Sequence, residues 1–242
     1  MSGKNLSKDF DFLEGGGEMG NLIKNKNWDN TVLGSPENWP LSLKFSLNIM
    51  LNSRAQMLLY WGDDLLCFYN DAHRPSLGNV GKHPEDLGLP GRDFWAEIWN
   101  AIGPHINDVK NGGESTWNEN QLLPIERNGE IEEAYWSYGF SPVRDINNDI
   151  AGVFVVVTET TIAFRARQVL VASEERFRKI AEGNSMMIAM ADKTKNVVYF
   201  NQAWSNFSGK TTEELSAEFQ RHPKAIEARI EKLNLLDSKV AA

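Results

Sequence analysis

Leu65-Leu66-Cys67-Phe68-Tyr69-Asn70-Asp71-Ala72, with Gly78 beyond it, is the stretch on which the fold turns, because the chain repeats it 131 positions later. The second copy runs Asn196-Val197-Val198-Tyr199-Phe200-Asn201-Gln202-Ala203, with Gly209 beyond it. Each copy is a short apolar strand that ends in an aromatic and an Asn. An Ala follows two residues on, and a Gly six beyond the Ala. A polar turn precedes each: Gly62-Asp63-Asp64 in one, Asp192-Lys193-Thr194-Lys195 in the other. A repeat of this kind predicts two tandem copies of one small α+β module.

Outward from the first copy, Met57 to Trp61 and Leu65 to Tyr69 read as a hairpin of two apolar strands. Ahead of them Pro36 and Pro40 introduce a helix over Leu41 to Asn52, and residues 1–20, with Gly15-Gly16-Gly17, read as a loosely held start. Behind them lie short helices broken by Pro and Gly, clearest around Phe94 to Trp99 and Ile102 to Val109. Thr116 to Glu126 is a strand closed by Asn128-Gly129, a dipeptide suited to a turn that needs φ > 0 at both positions. Ala134, Trp136, Tyr138 and Phe140 alternate with small or polar residues, and Ile150 to Thr158 is almost unbroken apolar. The order predicts an α+β domain: a five-stranded antiparallel sheet with short helices on one face.

Residues 161–182 lack Gly and Pro and read as a linker helix. Ala163, Leu170 and Phe177 recur every seven residues, and so do Ala166, Ser173 and Ile180, which gives a weak a/d seam. The second module starts near residue 183 and its repeat stops after Leu215. Residues 216–242 read as a helical tail in place of a second three-stranded meander.

The composition is that of an ordinary globular protein: 242 residues, 41% hydrophobic and 24% charged. A net charge of -8 argues against nucleic acid or an anionic membrane as partner. No apolar run approaches the roughly 20 residues that span a bilayer. One cysteine, Cys67, excludes an intramolecular disulfide framework and a cysteine zinc cluster. These features lead to the expectation of a cytoplasmic protein. Adjacent acidic pairs such as Asp63/Asp64 and Glu174/Glu175 point to different sides of their elements, and no serine sits in a nucleophile elbow. Neither catalysis nor a metal is expected.

With the strand-Asn-x-Ala-x5-Gly phrase in hand, the chain resembles the PAS superfamily, and more narrowly the N-terminal input region of bacterial sensor histidine kinases. Leu33-Gly34-Ser35-Pro36-Glu37-Asn38-Trp39-Pro40, Tyr69-Asn70-Asp71-Ala72, Gly81-Lys82-His83-Pro84-Glu85-Asp86-Leu87-Gly88, Trp95 to Trp99 and Gly152 to Thr161 carry the resemblance together. It implies a complete PAS domain over 21–160, a signalling helix over 161–182 and the front half of a second domain over 183–215. It also implies a sensory and relay role in two-component phosphorelay signalling, with the kinase transmitter in cis or in trans. No phosphoacceptor box or nucleotide loop is present in the sequence. The family often closes its last strand with Asp-x-Thr, and this chain has Thr158-Glu159-Thr160-Thr161 there.

A PAS core encloses a cavity, so Trp61, Tyr69, His73, Trp95, Trp99, Trp136 and Tyr138 are the candidates to line a pocket for a small organic ligand. The plainer role for such aromatics is to fill a core. Ala163, Leu170, Phe177 and Ile180 are the candidates for relay and homodimerisation through the linker helix. An interaction scaffold without ligand is the rival reading. Flavin photochemistry is not expected, since Gly91-Arg92-Asp93-Phe94 has Phe where a thiol must stand. Haem through His105 is not expected either, because one His without supporting ligands more often caps or faces solvent.

Overall fold

A computed structural model describes residues 8–193, 197–211, 213–215 and 217. Apart from residue 217, the helix expected over 216–242 lies outside them. The chain divides into two compact units, the first through Phe164 and the second from Arg165.

The first unit holds β1 (Gln56–Trp61), β2 (Leu66–Tyr69), β3 (Thr116–Arg127), β4 (Glu130–Arg144) and β5 (Ile150–Glu159), all antiparallel, in the order β2-β1-β5-β4-β3. Placing β5 between β1 and β4 brings the end of the domain into its middle, which is why its sequence is so apolar. The Asn128-Gly129 turn closes β3 on β4, with φ of 54° and 80° at its two residues.

One face of the sheet carries α3 (Gly91–Phe94) and α4 (Trp99–Lys110), with Tyr60, Trp136, Tyr138 and Val155 turned toward them. The N-terminal segment covers part of the opposite face. Phe68 alternates with Cys67 and Tyr69, so it points away from α3. Its ring stacks on Trp28 at 5.5 Å and meets Trp39 edge-on at 5.9 Å, while Trp28 and Trp39 pack against each other at 5.1 Å. Each such pair adds about 0.5–1.5 kcal/mol beyond burial, enough to fasten the segment to the sheet.

The loose start expected over residues 1–20 does not hold from Lys8 onward. Lys8–Leu13 is a 3-10 turn and Gly17–Asn25 is α1, with Met19 and Ile23 fully buried. The glycines act as a fixed corner. Gly17 has φ +62° and leaves room for the Asp71 carboxylate, which accepts from the Glu18 and Met19 N–H at 2.9 and 2.8 Å. A carboxylate there satisfies orphan donors and opposes the positive end of the helix.

The residues of the repeated phrase perform the same task twice. Asn70 is fully buried at the end of β2; its Nδ2 donates to the carbonyls of Met50, Ser53 and Ala55, and its Oδ1 accepts from Met57 N–H. Asn201 is fully buried after β7 (Val197–Phe200); its Nδ2 donates to Ala181, Asn184 and Met186, and its Oδ1 accepts from Ile188 N–H. The separations are 20, 17, 15 and 13 residues in both copies. Each Asn ties a preceding helix to a strand pair: α2 (Leu41–Leu51) to β1–β2, and α5 (Thr161–Glu182) to β6 (Ala189–Ala191) and β7. The repeat therefore reaches back into α5, and the boundary expected at residue 183 falls inside a repeated element. Tyr69 meets His73 edge-on at 6.3 Å, and Phe200 meets Trp204 in the same way at 5.5 Å. Around Phe200 and Trp204 gathers the small core of the second unit, with Val197 and Leu215.

Candidate functional site

A cavity of about 50 Å³ lies between the sheet and the α3–α4 side of the first unit. The strands contribute Leu58 and Tyr60 from β1, Leu123 and Ile125 from β3, Trp136, Tyr138 and Phe140 from β4, and Val155 and Val157 from β5. Ile102 comes from α4, Trp95 and Ile98 from the turn before it, and His73 from the segment after β2. Period-two alternation places this set, since every lining residue of a given strand is an even step from the next.

The wall is apolar except at three atoms. Both ring nitrogens of His73 and the indole Nε1 of Trp136 are buried with no hydrogen-bond partner among the described residues. Such atoms cost about 1–3 kcal/mol each when left unmet. Burial, helped by the positive charge of Arg127, lowers the His73 pKa to about 3, so the imidazole is neutral at pH 7, with one N–H and one bare nitrogen. Burial raises Tyr60 well above its ordinary pKa and Tyr138 to about 12. The Tyr138 hydroxyl is already engaged, donating to Gln121 Oε1.

Arg127, at the end of β3, touches both the cavity wall and the start of α5. Its guanidinium lies 5.4 Å from the centre of the Trp136 ring, and its Nε donates to the Ser76 carbonyl at 2.7 Å. Ser76 belongs to the 3-10 turn Arg74–Leu77 that His73 opens. Arg127 Nη2 reaches Glu159 Oε2 at 2.6 Å, and Glu159 Oε1 accepts from the Thr161 hydroxyl at 2.9 Å. That hydroxyl in turn accepts from Tyr135 N–H at 2.9 Å. Burial pulls the Glu159 pKa up, but the bonds from Arg127 and Thr161 outweigh it and hold the carboxyl below its ordinary value. The Glu159-x-Thr161 spacing is thus a bonded acid-x-Thr pair, where the sequence reading saw a departure from Asp-x-Thr.

Of the seven pocket candidates, His73, Trp95, Trp136 and Tyr138 line the cavity. Trp61 does not: it follows Tyr60 by one position and points to the other face, so Tyr60 is the aromatic that β1 contributes. Tyr69 lies on the cavity side, but its hydroxyl sits 2.9 Å from His83 Nδ1, and it packs on Phe94. Trp99 is half-buried and packs over Gly103, where a Cβ would come within 2.7 Å of its ring. Tyr60, Arg127 and Glu159 were missed. Only the acid-x-Thr spacing offered a signal.

The relay candidates divide. Ala163, Leu170 and Ile180 are exposed, whereas the Phe177 ring packs 5.9 Å from Tyr199 within the second unit. The proposed seam is therefore engaged within the chain at one position. His105 is half-buried with its ring 6.3 Å from Phe140 and does not line the cavity; Phe94 is fully buried. A cavity of about 50 Å³ is far below the 300–1,000 Å³ of pockets for drug-sized ligands, so a porphyrin or flavin ring does not fit it. Among the described residues, no helix is long and apolar enough to cross a membrane.

Residues 175–237 match the family model of the PAS domain. None of the curated proteins compared with the chain matches it. Among solved structures, a sensory box sensor histidine kinase from Vibrio cholerae is 12% identical, with 43% of this chain and 77% of that one covered at a TM-score of 0.33. The PAS domain of the histidine kinase ThkA is 15% identical, with 43% and 98% covered at 0.32. An RNA-binding Light-Oxygen-Voltage receptor is 16% identical, with 56% and 38% covered at 0.41. Likenesses at this level assign nothing further to the chain.

Proposed function

We propose that this chain, which carries a PAS domain, is a cytoplasmic sensory and relay module with no catalytic chemistry of its own. The cavity of the first unit is its input and α5 its output. The observation that carries this reading is Arg127, whose one side chain contacts Trp136, the turn that starts at His73, and the Glu159–Thr161 pair at the head of α5. A ligand that moves the cavity wall then alters how the first turn of α5 is held. The energy at its disposal is its differential affinity for two states, so a small shift of the helix is in reach and a refolding is not. Homodimerisation through the exposed face of α5 would pass the shift to a histidine kinase transmitter, in cis or in trans.

The rival reading, a ligand-free scaffold with a filled core, draws on the small cavity volume. The unmet nitrogens of His73 and Trp136 weigh against it, since a core built only for packing has no use for them. Val155→Leu separates the two, because it adds a methylene to the cavity wall and mimics partial occupancy. The sensor reading expects hydrogen exchange over residues 158–168 to change several-fold while α2 stays as it was. Unchanged exchange over 158–168 in a folded Val155→Leu chain removes the reading.

A further inference from the structure

This inference rests on the cavity being the input site, and concerns what enters it. The volume is about 50 Å³, a third of the roughly 150 Å³ apolar cavity that holds benzene. It is room for a few heavy atoms. The polar atoms set a second condition: Trp136 presents an N–H, and the neutral ring of His73 presents one N–H and one bare nitrogen. No carboxylate and no cation lines the cavity. Arg127 lies against the Trp136 ring and is paired with Glu159 and, at 3.6 Å, with Glu132. An ion would therefore lose its hydration without gaining a free counter-charge, which is the costliest way to bury a group.

We propose that the cavity takes a compact, uncharged molecule that joins a hydrogen-bond acceptor to a donor across one or two atoms, the small carboxamide class. The carbonyl oxygen accepts from Trp136 Nε1–H, the amide N–H donates to the bare nitrogen of His73, and the remaining small alkyl group meets the Leu58 and Val155 side of the wall. A hydrocarbon of the same size satisfies none of the three nitrogens. A carboxylate offers acceptors but no donor, and carries charge. The second unit has Trp204 at the position equivalent to His73, so this chemistry belongs to the first unit alone.

The probe is acetamide, titrated into the full unmutated chain and followed through the indole N–H resonance of Trp136. Acetate and isobutene serve as the charged and the apolar comparison. The expected result is a saturable shift with acetamide at about millimolar concentration, as befits four heavy atoms, and none with acetate. His73→Leu should weaken acetamide about tenfold, the cost of one unmet bond. A cavity that holds only water gives no saturable shift, and this overturns the proposal. So does binding of isobutene or acetate as tightly as acetamide, a result read on the unmutated chain whether or not His73→Leu folds. Saturable binding that leaves exchange over 158–168 unchanged overturns the relay and leaves the ligand class standing.

Discussion

Asn70 makes four hydrogen bonds from a side chain with no exposure, and three of its acceptors are carbonyls at the end of α2 and in the loop after it. Asn70→Ala leaves those carbonyls and the Met57 N–H unmet together. The expected loss is about 3–5 kcal/mol of stability by denaturant unfolding, at the high end for single substitutions; a loss below about 1 kcal/mol would mean that water takes over the clamp. His73 makes a pH prediction. Its folded pKa of about 3 lies below the ordinary value of 6.5, so between those limits the unfolded chain binds a proton that the folded one does not. Stability is then fully present above pH 6.5 and is lost as pH falls toward 3, by up to about 1.4 kcal/mol per unit. His73→Leu should flatten that slope by up to one proton, measured by denaturant melts from pH 7 to 4.5. An unchanged slope means His73 is protonated in the folded state.

At the scale of elements, the strands and the Asn-Gly turn were legible because period-two alternation and φ > 0 leave marks in one dimension. The reading of β1 erred by one step, taking Trp61 for the cavity where Tyr60 stands. On a strand whose last four residues are all buried, alternation no longer shows which face is which. The clamp was quoted in sequence as a phrase, but its role lay in bonds to residues 13 to 20 positions earlier, which no local pattern displays. Arg127 was invisible for the same reason. The α5 seam was legible as spacing, yet Tyr199 takes up Phe177 from outside the helix. Leu170, 60% exposed, is the larger seam position left. Leu170→Asp should abolish self-association in sedimentation equilibrium while leaving the far-ultraviolet spectrum unchanged; a dimer that survives it places the interface elsewhere.

At the scale of the whole molecule, α5 is held at its start by Thr161 and Glu159 in the first unit and near its end by Asn201, through the Ala181 carbonyl, in the second. It serves as the exit of one copy of the module and as the entry helix of the next. A change in the hold at Thr161 therefore acts on an element that the second copy also uses, and energetic coupling of that kind is reciprocal. Arg127 is the side chain through which the cavity side and the helix side meet, so it is where the coupling should be cut. The direct measurement is a double-mutant cycle of His73→Leu with Thr161→Val by equilibrium unfolding, run in the natural chain and again in an Arg127→Met background. The account predicts a coupling of about 0.5–1 kcal/mol in the first cycle and additivity within about 0.3 kcal/mol in the second. Additivity already in the first cycle, or a coupling that survives Arg127→Met, would contradict it.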